Sequence, residues 1–561
     1  PETEKFLVRL RTDNTGASVL AAKFNPAPPA ADSAAAKADE KAVKDAADRR
    51  SSGTQEIVNK WSGPLPTKPW TEVMFRAIEK SAKNPPLSTR NQALIHVAMS
   101  DAVVSAYHWK YQFNVKAPDG VDTLVPASPD PSYPSEHAAI AGAASRVIAY
   151  LYPGEAALRL DEMADEAAQA RVDAGTNTPS DVEAGLALGR AVADKVIAYA
   201  KTDGAGTPWN GRRPAGIGTG PAFWNPPPGS SAQPTDPEAA KWKAWVLTAN
   251  SQFRPPPPPA YNSATFKAEA QHLVDVKKNL TEEQKRVAKF WEGAAGSVQP
   301  GGITLGVAMA DIEKAMAEGD AATRWTIPQA ARALAMINVT LADGGISVWD
   351  AKYFYWYPRP INGIRDSGVD RTFEPFVPTP LFPAYPSGSA GYAGGAEGIM
   401  THLFPARAEE FKHRAEEQAG SRIFAGIHWR FDEVSMGGGR EIAKLVIDKV
   451  KGDLGQVRDD LSTAGRDALA AARTGVAQAK ERATDAYESI AATLAAWLLA
   501  PGAVTTEFAT EIAADLGGLT GGLHAAVAAD PTGHGLAEMA PREATRGELR
   551  AWAERARSNL E

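Results

Sequence analysis

Three short motifs hold the residues that could do chemistry: Lys352-Tyr-Phe-Tyr-Trp-Tyr-Pro-Arg359-Pro360, then Pro386-Ser387-Gly388-Ser389, then Ser421-Arg422 with His428 and Asp432 behind it. Lys352 and Arg359 are seven positions apart, about two helical turns, so the spacing predicts one shared helix face. Arg422 adds a third cation. Ser387 and Gly388 open an apolar, Gly/Ala-rich run that reads as a helix start, where free N–H groups favour an anion, and Ser387 adds a hydroxyl. Three cations, a helix start and a hydroxyl suit a tetrahedral oxyanion such as phosphate or vanadate. His428 is the sole imidazole in these motifs, and Asp432 follows four residues later. A carboxylate at that distance can fix the ring's tautomer and leave the other nitrogen to attack or ligate the central atom of the oxyanion.

Taken singly these residues say little. Lys352 reads as a surface lysine, Arg359 between two prolines as a turn residue, and His428 between Ile427 and Trp429 as a core histidine. As an ordered set they resemble the signature of the vanadium-dependent haloperoxidases of the PAP2 (acid phosphatase) superfamily: Lys-x6-Arg-Pro, Pro-Ser-Gly-His, Ser-Arg-x5-His-x3-Asp. Every position matches except that Ser389 stands where the family has histidine. Trp349 and Phe382 resemble the aromatic residues on the halide side of vanadium chloroperoxidases.

The resemblance implies vanadate as cofactor, held by Lys352, Arg359, Ser387, Gly388, Arg422 and His428, with the metal bonded to His428. It implies catalytic roles for His428, Lys352, Asp432 and Ser389. The reactants it implies are hydrogen peroxide, a halide (bromide or chloride) and a small organic acceptor, with hypohalous acid as the product. Phosphate fits the same cage, so hydrolysis of phosphomonoesters through a phosphohistidine is the alternative. Oxyanion binding without halogenation is a further one. Serine can hydrogen-bond but has no pKa near neutrality. The expectation at Ser389 is therefore vanadate binding with reduced or altered halide oxidation, and His137, Asp350 and Arg365 are candidates to supply the missing proton.

The elements that must position these residues are helical, and they recur. Ala93-Leu-Ile-His-Val-Ala-Met-Ser-Asp101 matches Ala335-Met-Ile-Asn-Val-Thr-Leu-Ala-Asp343 at an offset of 242, which places Lys110 on Lys352 and Ala117 on Arg359. Tyr133-Pro-Ser-Glu-His-Ala138 matches Tyr385-Pro-Ser-Gly-Ser-Ala390 at an offset of 252, and Arg171, Asn177 and Asp181 fall on Arg422, His428 and Asp432 at 251. A duplication follows, with a first half that has lost the arginine and the histidine and acts as scaffold. The expected fold is all-α: two pseudo-symmetric helical bundles plus a helical C-terminal extension.

The predicted organisation is an N-terminal arm (1–60), a first bundle without a site (61–263), a second bundle with the site (264–450) and the extension (451–561). Apolar spacing predicts helices over Trp70 to Ile78 and Asn91 to Tyr107. Ala31 to Arg50 reads as a solvated connector, a surface helix or mobile arm. Thr281-Glu-Glu-Gln284 and Thr545-Arg-Gly-Glu548 read as helix caps. Residues 203–237 and 253–260 are Pro/Gly-rich, and the unbroken Pro255 to Pro259 reads as a rigid extended connection along the surface. The extension carries no chemical motif and is expected to pack on the bundles or on a second subunit, so a homo-oligomer is one expectation.

The 561 residues are 44% hydrophobic and 23% charged with a net charge of −7, which argues against nucleic acid as the main partner. There is no cysteine, so disulfides and zinc–thiolate sites are excluded. No apolar run reaches membrane-spanning length; the most apolar stretch, Ile490 to Val504, contains Pro501 and Gly502. The chain starts at Pro1 rather than Met, and a secreted or periplasmic location is the expectation.

Overall fold

The structure, a computed structural model, describes residues 27–451 apart from 82–83, 127, 155–158, 295 and 319–323. The first part of the N-terminal arm and the expected C-terminal extension, with its Thr545 cap, lie outside the described residues. Among the described residues every regular element is helical. No helix there is long and apolar enough to cross a membrane.

Two long helices form the centre. α4 (Pro85–Phe113) and α11 (Ile327–Tyr355) are both 29 residues long, about 44 Å at the usual rise per residue. Each has proline in its first turn behind a capping side chain, Asn84 or Thr326. Their sequences are apolar nearly all round, the pattern of a buried helix, and the two pack against each other. The duplicated halves therefore meet along equivalent helices, the two whose sequences match at the offset of 242.

Around α4 stand α1 (Ala34–Asp48), α2 (Ser52–Trp61), α3 (Lys68–Ser81), α5 (Glu136–Leu151), α6 (Leu160–Asp173) and α7 (Pro179–Ala200). Of the readings for Ala31 to Arg50, the surface helix is the one that forms: α1 is largely exposed, with only Val43 and Ala46 buried. α2 lies on α6, and Trp61 Nε1 donates to Glu166 at 2.7 Å. Around α11 stand α8 (Ala264–Lys278), α9 (Glu282–Phe290), α10 (Gln299–Ala317), α12 (Pro360–Asp366), α13 (Gly388–Leu403), α14 (Ala408–Phe424) and α15 over 435–451. Thr281 and Gln284 form the expected reciprocal cap of α9.

Glycine sets the spacing of the helix pair that matters for the site. A Cβ on Gly394 of α13 would sit 2.1 Å from Met436 O, and one on Gly439 of α15 would sit 2.2 Å from Gly391 O. The two backbones thus approach closely only because these side chains are missing. In the first half Gly142 and Gly189 do the same for α5 and α7, with Cβ contacts of 2.5 and 2.0 Å to Leu186 O and Ala139 O.

The long Pro/Gly-rich segment between the halves is not a detached connection. Pro255, Pro256 and Pro259 turn their carbonyls inward, accepting from the hydroxyls of Tyr355 (2.7 Å), Tyr385 (2.5 Å) and Tyr357 (2.7 Å). Thr235 O accepts from both Trp349 Nε1 and Tyr353 Oη. The segment is a strap across the end of α11, and it reaches the second bundle through tyrosines that flank the motif residues.

Candidate functional site

α11 delivers Lys352 from its last turn, but Arg359 does not share its face. The helix ends at Tyr355, and Trp356 turns left-handed with φ 50°, a conformation costly for a large side chain. Trp356 is held there by Tyr353 and Trp224, whose ring centroids lie 5.2 and 6.2 Å away, and by the Trp224 N–H, which donates to Trp356 O. After the turn Arg359 becomes the residue just before α12. The two cations converge by another route. Arg359 Nε donates to Phe382 O at 2.7 Å, while Lys352 Nζ donates to Pro383 O at 2.7 Å and Ala384 O at 2.8 Å. Three consecutive carbonyls ahead of α13 thus aim both groups.

His428 completes the cluster. Its Nδ1 lies 2.6 Å from Asp432 Oδ2, and its Nε2 lies 3.1 Å from Arg359 Nη1. A guanidinium can only donate, so Nε2 accepts, and Nδ1 carries the proton and donates to Asp432. The same Oδ2 accepts from the Trp429 N–H at 3.1 Å. Asp432 belongs to a 3-10 turn, Arg430–Val434, rather than to the α-helical turn its spacing suggests, yet it still reaches the imidazole. Ser387 caps α13, its hydroxyl accepting from the Ala390 N–H, and its own N–H donates to Asp432 O at 2.8 Å.

Arg422 is placed differently. Its Nε donates to Ser421 Oγ at 2.9 Å, its Nη2 to Ala288 O at 3.0 Å and its Nη1 to Glu292 O at 3.4 Å. It therefore caps the carbonyl end of α9, a favourable place for a cation, and it reaches the cluster through its charge.

Burial and charge are in conflict here. Lys352, Arg359 and Asp432 are fully buried, and His428 is 4% exposed. Burial, followed by the Arg359 charge, pulls the Lys352 ammonium well below the ordinary lysine range. Burial lowers Arg359 to about 9 and Arg422 to about 10. Burial and the charges of Arg359, Lys352 and Arg422 push His428 well below its usual value, which favours the neutral ring. Burial raises Asp432 to about 7, against the pull of Lys352, the Trp429 N–H and Arg359. Lys352 and Arg359 share the Asp432 carboxylate where water is excluded, while Arg422 feels the Glu292 charge; such charge is expensive to bury unpaired.

The cluster also has room and free donors. Arg359 Nη2 is buried without a partner. A Cβ on Gly388 would meet only Trp349 at 3.5 Å and Val348 at 4.0 Å, ordinary contacts, so the missing side chain leaves space over the start of α13. Excess positive charge, an orphaned guanidinium N–H, a helix N-terminus and a neutral imidazole are what a tetrahedral dianion requires. The aromatic pair flanks them: the Trp349 and Phe382 rings are 4.9 Å apart, and Lys352 Nζ and Arg359 Cζ lie 5.2 and 4.7 Å from the Phe382 centroid.

Ser389 is 6% exposed and has a partner that sequence reasoning missed. Gln418 Nε2 donates to Ser389 O at 3.2 Å, reaches its hydroxyl at 3.5 Å and bonds Thr304 Oγ1 at 2.9 Å. The signal was present, since Gln418, Ser421 and Arg422 lie at helical spacing on α14. The proposed proton sources are engaged elsewhere. Asp350 holds Arg254 through two bonds of 2.7 and 2.9 Å, Arg365 pairs with Glu374, and His137 pairs with Glu136 in the first bundle.

Comparison with known proteins fits this geometry. Residues 332–406, which run from within α11 to just past the end of α13, match the family model of the VCPO second helical-bundle domain. The vanadium chloroperoxidase of Curvularia inaequalis is 25% identical over 169 aligned positions, covering 18% of this chain and 28% of that protein. A bacterial vanadium-dependent iodoperoxidase is 25% identical, superposes with a TM-score of 0.56, and the match covers 68% of this chain and 95% of that one. The chain is similar to the vanadium haloperoxidases in these motifs and in its fold. An apo-type bacterial vanadium-dependent chloroperoxidase, 16% identical with a TM-score of 0.50 over 66% of this chain and 95% of that one, shares the fold. The sequence match to the curated relative spans under a third of its length, and the described residues have the all-α fold of the solved haloperoxidases.

Proposed function

We propose that this chain binds vanadate and oxidises halide with hydrogen peroxide. The observation that carries the reading is the neutral His428, whose unprotonated Nε2 faces Arg359 and whose Nδ1–H is held by Asp432. Lys352, Arg359, Arg422, the Ser387 hydroxyl and the Gly388 N–H would hold the oxyanion, and His428 Nε2 would ligate its central atom. Arg359 donates to that nitrogen in this structure, so its guanidinium would have to turn its donors to the oxyanion for the Nε2 lone pair to be available. Bound vanadate supplies a Lewis acid that polarises peroxide oxygen toward halide attack.

The chain's own residues do the rest. Asp432 keeps His428 in the ligating tautomer. Lys352 places its ammonium beside the Trp349–Phe382 pair, where it can draw electron density from a bound oxygen. Gln418 donates toward Ser389 and so leaves the serine's own hydrogen free to point into the pocket. Ser389 lacks the acid–base function of a histidine, so halide turnover is slow and favours iodide and bromide, the more easily oxidised halides.

Phosphate fits the same cage, and attack by His428 Nε2 would make a phosphohistidine. The aromatic pair beside Lys352 favours the halide reading. The test is oxidation of iodide and bromination of monochlorodimedone, with peroxide, with and without orthovanadate, alongside p-nitrophenyl phosphate hydrolysis by vanadate-free protein. Vanadate-dependent halide oxidation that is lost in H428A supports the proposal. Phosphatase activity without any vanadate-dependent halide oxidation overturns it.

A further inference from the structure

The first bundle holds a counterpart of this pocket, filled from within. Lys110 Nζ donates to Pro131 O (2.5 Å) and Ser132 O (3.1 Å), the positions equivalent to Pro383 and Ala384. Ser135 caps α5 as Ser387 caps α13, and its N–H donates to Asp181 O at 2.9 Å as that of Ser387 does to Asp432 O. Asn177 takes the place of His428, with its Oδ1 accepting from Arg171 Nε at 3.2 Å and its Nδ2 reaching Asp181 at 3.4 Å. Neither an arginine equivalent to Arg359 nor a nucleophile remains, but the anion-facing frame does.

One substitution changes what that frame contains. Where α13 begins with Gly388, α5 begins with Glu136. Its Oε2 lies 2.8 Å from Lys110 Nζ and its Oε1 2.9 Å from His137 Nδ1, and the residue is 6% exposed. The Arg171 charge also acts on this carboxylate. A carboxylate carried on the first residue of the helix therefore occupies the space that the second bundle leaves open over its own helix start.

We propose that Glu136 is the resident anion of a second, pre-formed oxyanion pocket, and that removing its carboxylate unmasks a site for a tetrahedral oxyanion of the phosphate class. Lys110, Arg171, the Ser135 hydroxyl and the N–H groups opening α5 would hold the guest. The wild-type chain consequently offers one such site rather than two.

The test uses the full chain with the second pocket disabled by R359A/H428A, so its outcome is independent of halide chemistry. Inorganic phosphate is titrated calorimetrically into this parent, into the parent carrying E136G, and into the parent carrying E136Q, which keeps the side-chain volume. The expected result is one phosphate per chain for E136G, at least tenfold tighter than in the parent or with E136Q, and lost again on adding K110A. A folded E136G variant that binds phosphate no better than the parent, or whose binding ignores K110A, overturns the proposal. If E136G folds poorly, its melting temperature is compared in phosphate and in chloride at equal ionic strength. Phosphate-specific recovery supports the site, and its absence overturns it.

Discussion

The first pocket pairs two cations, Lys110 and Arg171, with two carboxylates, Glu136 and Asp181. The second sets Lys352 and Arg359 against Asp432, with Arg422 set back against α9 beside Glu292. Both are buried, both hang a lysine on two carbonyls ahead of a serine-capped helix, and both back a polar side chain with an aspartate. Their titration behaviour separates them. Burial would raise Glu136, but Lys110, His137 and Arg171 outweigh it and hold the carboxyl well below the usual range. Burial raises the two equivalent aspartates, Asp181 and Asp432, the latter to about 7, so the difference lies in Glu136, which has no counterpart in the second pocket, and in Lys352, which burial drags far down. A buried charge cluster that sums to neutral is a structural part; one left with excess charge is a receptor waiting for a counter-ion.

The comparison can be broken by exchanging its terms. The largest effect is expected from H428A, which should reduce vanadate-dependent halide oxidation to background, while N177A in the first pocket leaves turnover unchanged. Next, G388E transplants the internal carboxylate. A Cβ there meets nothing closer than 3.5 Å, so the backbone at the start of α13 accepts a side chain and the variant should fold. Its phosphate affinity should fall about a hundredfold or more, since the guest then competes with a buried, paired carboxylate; calorimetry and thermal melts check both halves. D432N should weaken oxyanion binding roughly 10- to 100-fold, the usual effect of removing the group that orients a ligating histidine. D181N should leave binding untouched.

Two smaller effects sharpen the account. Lys352 is useful to an anion only when protonated, and its pKa is lowered in the empty pocket, so affinity should decline with rising pH before the ordinary lysine range of about 10.4 is reached. K352R, which keeps its charge, should move that decline to higher pH in a vanadate titration. S389H should raise halide turnover several-fold and add a limb to the pH profile near neutrality, whereas Q418L should lower turnover only a few-fold, with no new limb.

Much of this was readable in the chain. The three motifs and the offsets near 250 pointed to the duplicated all-α fold and to Lys352, Arg359, His428 and Asp432, and those four residues do converge. What was not readable depends mostly on contacts between distant segments. The shared face expected for Lys352 and Arg359 fails at Trp356, which ends α11 in a left-handed turn just as Asn114 ends α4 at the equivalent position; the spacing alone did not show where the helix stops. Pro255 to Pro259 read as a surface connection because sequence shows a missing N–H, not which tyrosines its carbonyls will meet. The carbonyls that draw Arg422 toward α9 are invisible for the same reason. Glu136 was plain in the repeat as the one acidic letter opposite a glycine, but its pairing with Lys110 needed three dimensions.

The most direct test of the charge comparison is an anomalous difference map from crystals of the wild-type chain soaked in orthovanadate. One peak per chain, within bonding reach of His428 Nε2 and flanked by Lys352 and Arg359, with none beside Lys110, is the predicted result. A peak between Lys110 and Arg171, or none at His428, would contradict it.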